Sequence, residues 1–321
     1  MHRDLMLDSL DGLAVGDALG WEFPIMRRSI RDVRAGELPG GPWRWSDDTE
    51  MACTVVDELA RHERIDQDRL AAAFARRLDP ARDYGFLAIA TLRKIGEGVP
   101  WRTAAGAAYD HQGSCGNGAA MRVAPLGAYY AGDPERIVAE AIRSAEVTHL
   151  HPEGVTGAVA VALAAGQAAQ ARLTGTRPAP SEFITAVFDR LDHGETGALI
   201  RRARTLLGAS VQEAAAELGN GSQVTAQNTV PFTLWVAATH LADYPSAIAA
   251  CLAADGDIDT TGAIAGGIVA AFTGVGSRAQ SIAGVPPVWL AAREPLPGWF
   301  DPVRAARRRR GRLRSWFSGA S

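Results

Sequence analysis

Apolar residues recur at helical spacing along most of the chain. Met51 to Arg61, Asp68 to Leu78, Pro134 to Ala145, Ser181 to Leu191 and Val211 to Leu218 each carry them about every 3.6 positions. Strand-like alternation is nearly absent. Two further segments, Gly154 to Ala171 and Thr261 to Phe272, are apolar on every side and rich in small residues. Such helices bring backbones close together and suit the centre of a helical body. The pattern predicts an all-α fold. Gly, Pro and Asp clusters at 36–42, 96–100, 113–118, 174–180, 219–222 and 255–257 mark the connections. No fixed-period repeat is visible, which argues against a solenoid.

Composition narrows this picture only a little. A chain of 321 residues, 47% hydrophobic and 21% charged, can bury a sizeable core. No linker divides it, so one domain over residues 1–300 is expected, followed by an Arg-rich tail over 301–321. The net charge of -3 argues against a general binder of nucleic acid or membrane surface. The tail, with Arg304, Arg307, Arg308, Arg309, Arg310, Arg312 and Arg314 before Trp316 and Phe317, is the one strongly basic feature and reads first as a solvated end. Only there would nucleic acid be a partner. Gly154 to Ala171 approaches membrane length, but Gln167, Gln170 and many small residues favour a buried helix. Three separated cysteines and an N-terminus bearing Arg3, Asp4 and Asp8 fit a cytoplasmic protein without a disulfide framework.

Two acidic segments change the picture more. Trp43 to Ala52 places Ser46, Asp47, Asp48 and Thr49 before a helical pattern. Taken alone, Asp47 reads as a helix cap answered by Glu50. Asp255 to Gly267 repeats the design with Asp257, Asp259 and Thr260, and Thr260 reads as a second cap. If the two segments fold together, their carboxylates repel and resist desolvation unless a cation joins them. Oxygen ligands without a cysteine suit a hard divalent ion. Two such ions about 3.5–4 Å apart would polarise a substrate oxygen and acidify a water, which is hydrolytic chemistry.

Three other segments have open readings. Gly113 to Gly127 is either a plain loop or a turn whose N–H groups hold a phosphate. His149 and His151 lack a third zinc ligand; they hydrogen-bond a ligand hydroxyl or cap a helix end. Gly12 to Phe23 combines glycines suited to a close helix contact with Asp17, a cap or brace, and Glu22, either solvated or at the edge of the acidic site.

Taken in order, GLAVGDALG, WSDDTEMA, GNGAAMRVAPLG, THLHPEGVTGA and GDIDTTGAIAGG resemble the signature segments of the ADP-ribosylglycohydrolase family, which includes the dinitrogenase reductase-activating glycohydrolases. The resemblance implies a compact orthogonal bundle of helices around a centre of two divalent cations, Mg²⁺ first and Mn²⁺ second. It implies hydrolysis of the glycosidic bond joining ADP-ribose to a modified protein or small molecule, with ADP-ribose as product. By motif, Ser46, Asp47, Asp48, Asp257, Asp259 and Thr260 become the metal ligands. Gly116, Asn117, Gly118, Ala119 and Met121 become the substrate loop, and His149 touches the ligand. Asp47, Asp48, Asp259 or Glu22 would take the proton from water. Ala119 stands where serine is common, and Asp255 adds a charge near the metals. Two rivals remain: a hydrolase using Cys115 as nucleophile, and a protein of this fold that binds ADP-ribose without turnover.

Overall fold

The computed structural model describes residues 2–306 except 27, 37, 39, 193 and 280. The basic tail from Arg307 onward, with Trp316 and Phe317, lies outside the described residues. The rest is all-α, as the periodicity predicts. The one sheet among the described residues is a ribbon pairing Ser277–Ala279 antiparallel with Ile282–Ala283.

Nine helices set the site in place: α1 (His2–Met26), α2 (Asp47–His62), α3 (Gln67–Arg77), α4 (Ala124–Tyr129), α5 (Pro134–Glu146), α6 (Pro152–Thr174), α7 (Ala226–Thr239), α8 (Tyr244–Ala254) and α9 (Ile258–Thr273). Their starts follow side-chain chemistry. Asp66, Asp133 and Asp243 accept backbone N–H groups at the heads of α3, α5 and α8, and His151 does so for α6. The small-residue helices are central, as expected. α6 is the only described helix long and apolar enough to cross a membrane, yet 78% of its apolar window is buried, packed on α4, α5, α7 and α9.

The closest pairing is α1 against α9. Cβ atoms added to Gly12 and Gly16 would lie 2.6 Å from Gly266 O and 2.1 Å from Gly262 O, and one on Gly20 would lie 2.5 Å from Asp259 Cα. Glycine every fourth residue on α1 therefore forms a flat face along which α9 runs antiparallel in backbone contact. Asp17 of α1 and Asp259 of α9 arrive side by side as a result.

A second constraint fixes the entry to α2. Trp43 N–H donates to Ala292 O at 2.7 Å, Glu294 N–H donates to Trp43 O at 2.9 Å, and Trp45 N–H reaches Glu294 Oε1 at 3.1 Å. Arg82 pairs with Glu294 and stacks 3.4 Å over the Trp45 ring centroid. Trp289 packs edge-on against Trp43 and Tyr244 beneath. The C-terminal part of the chain thus anchors the loop that carries Ser46 to Asp48.

Candidate metal centre and ligand cleft

The head of α2 is built differently from the simple cap reading. Ser46, not Asp47, is the N-cap; its backbone is extended and its hydroxyl accepts Asp48 N–H at 3.3 Å. Glu50 does not answer as a capping box, because its carboxylate accepts Tyr84 Oη–H at 2.8 Å and Asp79 N–H at 3.3 Å. Capping is completed from another helix. Asp17 of α1 accepts Ser46 N–H at 3.0 Å, Thr49 N–H at 3.1 Å and the Thr49 hydroxyl. With the cap supplied by Ser46 and Asp17, the carboxylates of Asp47 and Asp48 are left for other work.

The head of α9 is also corrected. Asp257, not Thr260, occupies the N-cap, and its side chain caps nothing. Its Oδ2 instead accepts Asn117 Nδ2–H at 2.7 Å, which ties the glycine loop to the acidic cluster. Thr260 lies one residue beyond Asp259 in the first turn, and its hydroxyl points to Asp48 Oδ2 at 3.5 Å. Ser46 Oγ donates to the same oxygen at 3.0 Å.

The sequence-distant acids therefore converge. Asp17, Asp48 and Asp259 each present an oxygen within 4.8 Å of the others. Asp47 and Asp257 border the same cleft, and no Arg, Lys or His forms an ion pair with any of the five among the described residues. Burial, then the charge of Asp259, pushes Asp17 up to about 7. Burial and Asp259 likewise push Asp257 up to about 8. Asp47 and Asp48 are raised well above the ordinary carboxylate range, by burial first and by Asp17 next. Asp48 Oδ1 is buried without a hydrogen-bond partner. An all-oxygen donor set with mutual repulsion and an orphaned buried oxygen fits a hard divalent cation.

Above the acids opens a cleft of about 540 Å³, lined by Asp47, Asp48, Asp257, Asp259 and Thr260 at its base. Gly116, Asn117, Gly118, Met121 and His149 form one wall. His149 lies under the glycine loop, for a Cβ on Gly116 or Gly118 would be 3.2 Å from its Nε2. Burial, then the charge of Arg122, lowers His149 to about 3, so the ring is neutral. Exposed Phe86, Tyr109 and Val224 edge the mouth.

Several expected residues stand elsewhere. Glu22 does not line the cleft; its carboxylate accepts Arg44 N–H at 3.3 Å. Ser46 and Ala119 are buried behind the lining, and Asp255 is exposed at the end of α8, away from it. His151 caps α6 and binds no zinc cluster among the described residues. Cys115 lines the cleft, but none of the described hydrogen bonds joins its thiol to a histidine. Residues that sequence reasoning left out also line the cleft, namely Asp83, Tyr84, Arg122 and Thr148. Arg122 and Thr148 sit inside or beside quoted motifs, GNGAAMR and THLHP, and were open to suspicion; Asp83 and Tyr84 lie in no such motif.

The chain matches the model of the ADP-ribosylglycohydrolase family over residues 2–315. It is 28% identical over 309 residues to the ADP-ribosylhydrolase ARH3 of Xenopus tropicalis, covering 83% of this chain and 86% of that protein. It is 31% identical over 161 residues to the ADP-ribosyl-[dinitrogen reductase] glycohydrolase of Rhodospirillum rubrum, covering 47% of this chain and 53% of that one. A solved chain described as an ADP-ribosylglycohydrolase-related protein complex superposes with a TM-score of 0.61 at 24% identity, over 91% of this chain and 93% of its own, a likeness of fold.

Proposed function

The chain belongs to the ADP-ribosylglycohydrolase family, and from that premise we propose that it hydrolyses the glycosidic bond between ADP-ribose and a modified protein or small molecule, using divalent cations. The observation that carries this reading is the convergence of Asp17, Asp48 and Asp259, with an orphaned oxygen on Asp48, beside a cleft that Asp47, Asp48, Asp257 and Asp259 line together with a glycine loop.

Asp47, Asp48, Asp257 and Asp259, with the hydroxyls of Ser46 and Thr260, would hold the cations, Mg²⁺ first and Mn²⁺ second. When bound, these supply positive charge that offsets the acids and makes a nearby water more acidic. Asp17 braces the head of α2 through its three N–H and O–H contacts and so holds Asp48 toward Asp259. The backbone of Gly116 to Gly118 and the neutral ring of His149 bind and orient the diphosphate and distal ribose. Flat Phe86 and Tyr109 at the mouth offer surface for a base or for the acceptor.

In the reaction, the water oxygen bonds to the anomeric carbon while the bond to the acceptor breaks. The electron pair leaves with the acceptor heteroatom, which takes up a proton. The water proton passes to Asp47. Its carboxylate lines the cleft and forms none of the described hydrogen bonds. Asp47 is preferred to Glu22 for this role because Asp47 lines the cleft and Glu22 does not. Release of free ADP-ribose from arginine-linked and serine-linked peptides, with Mg²⁺, Mn²⁺ or EDTA, tests the reading. Cation-dependent release from any of them is expected; tight ADP-ribose binding without release from any substrate would make the protein a binder instead.

A further inference from the structure

Among the residues that line the cleft is a fully buried arginine that the reaction above does not use. Arg122 faces no carboxylate at hydrogen-bond distance among the described residues. One face lies 4.5 Å from the Phe74 ring centroid, Nη1 approaches Met51 Sδ at 3.7 Å, and Nε has no partner. Burying a guanidinium this way is unfavourable unless its fixed donors serve a purpose. Nη2 has two definite acceptors, Ser144 O at 2.6 Å and Thr148 Oγ1 at 2.9 Å. Thr148 Oγ1 in turn lies 2.7 Å from His149 Nδ1.

We infer that Arg122 and Thr148 are positioning residues that lock His149 as the Nε2–H tautomer, a permanent hydrogen-bond donor to a ligand oxygen above the glycine loop. The direction of each hydrogen bond follows from valence. A guanidinium donates and never accepts, so Thr148 Oγ1 receives a hydrogen from Arg122. The hydroxyl then has a single hydrogen of its own, and His149 Nδ1 is its only acceptor among the described hydrogen bonds. Nδ1 must therefore be the unprotonated nitrogen. The opposite tautomer would aim two hydrogens at one hydroxyl oxygen and strand the hydroxyl hydrogen in a site that is 4% exposed. With Nδ1 accepting, the proton sits on Nε2, the atom beside Gly116 and Gly118 on the cleft side.

The consequence is a division of labour. His149 recognises an oxygen acceptor such as a phosphate or hydroxyl oxygen, and it carries no proton in or out of the reaction. Arg122 behind it also keeps the imidazolium unfavourable, in line with its lowered pKa. The inference rests on the proposed function only for the identity of the ligand, because the tautomer is a property of the free protein.

Long-range ¹H–¹⁵N correlation of the histidine rings in the labelled full chain, with His149 assigned by its disappearance in His149→Gln, tests this directly. The expected pattern is an unprotonated Nδ1 and a protonated Nε2 in wild type and in Thr148→Ser. Thr148→Val is expected to lose the single fixed tautomer and to bind ADP-ribose about fivefold more weakly by calorimetry, the loss of about one hydrogen bond, while Thr148→Ser stays close to wild type. Removing Arg122 itself threatens folding, so the Thr148 pair and the wild-type spectrum decide. A protonated Nδ1 in wild type, or an unchanged tautomer in Thr148→Val, would overturn the inference. The expected spectra with no ADP-ribose binding in any form would leave it standing and sink the functional reading.

Discussion

Thr260 Oγ1 lies 3.5 Å from Asp48 Oδ2 across 212 positions of sequence, and that same aspartate keeps its other oxygen buried and unpartnered. Asp48 is thus the point where the two acidic segments meet, and its burial is unfavourable unless a cation occupies the space. Asp48→Asn has two opposite effects as a consequence. The metal-free protein becomes more stable in urea, because one repelling buried carboxylate is gone. Cation affinity, measured by calorimetry with Mn²⁺, falls about a hundredfold or more. A variant that lost both stability and binding would point to simple structural damage instead.

The raised carboxylates set a pH dependence with a definite sign. Asp17 at about 7 and Asp257 at about 8 are protonated more readily in the folded chain than in the unfolded one, where carboxylates titrate near ~4. Their contribution to stability is complete below that value and is lost as pH rises through 7 and 8. Chelator-treated protein therefore loses on the order of 2 kcal/mol between pH 6.5 and 8.5. His149, lowered to about 3, does not change charge in this window. Saturating Mn²⁺ abolishes or reverses the loss, since deprotonated acids are the ones that bind. Urea midpoints at the two pH values, with and without cation, provide the check.

The glycine face of α1 links packing to the site. Gly16→Ala would set a methyl group 2.1 Å from Gly262 O, an overpacked backbone contact expected to destabilise by about 2–3 kcal/mol. Gly20→Ala presses on Asp259 Cα at 2.5 Å. It is expected to weaken cation binding about tenfold in a chain that still folds, because small misplacements of ligands are felt strongly. Equal cation affinity in Gly20→Ala and wild type would show that the helix contact does not set ligand geometry.

Much of this was readable in the sequence. Helical periodicity located the segments that became α2, α3 and α5, which bury one face, and all-round apolar, small-residue composition located those of α6 and α9. The pairing of Asp47 and Asp48 with Asp257 and Asp259 was readable only when the two segments were taken together with the ordered motifs, since each alone reads as an ordinary helix start. The caps were not. Whether Ser46 or Asp47 closes the first turn depends on Asp17, which reaches it only through the α1–α9 crossing. Glu22 illustrates the same limit: its distance along the chain from GDALG says nothing about whether its carboxylate lines the cleft. Arg122 and Thr148 lie in the signature motifs, but their connection to His149 is a tertiary contact with no local pattern.

The cysteine alternative has a short test. Cys115 lines the cleft, yet no histidine is hydrogen-bonded to its thiol among the described residues. Cys115→Ala should therefore retain kcat/KM within about threefold. A loss of several orders of magnitude, insensitive to EDTA, would restore the thiol as nucleophile.

We propose that the converging aspartates hold cations that drive hydrolysis of an ADP-ribosyl bond. The most direct measurement is the rate of ADP-ribose release from an ADP-ribosylated substrate by wild type, Asp47→Asn and Asp259→Asn, each with Mg²⁺ and after EDTA treatment. Release by wild type with Mg²⁺ is expected, with recovery on adding the cation back after EDTA and a loss of at least about a thousandfold in both variants. Undiminished release after EDTA in wild type and in both variants would contradict this proposal.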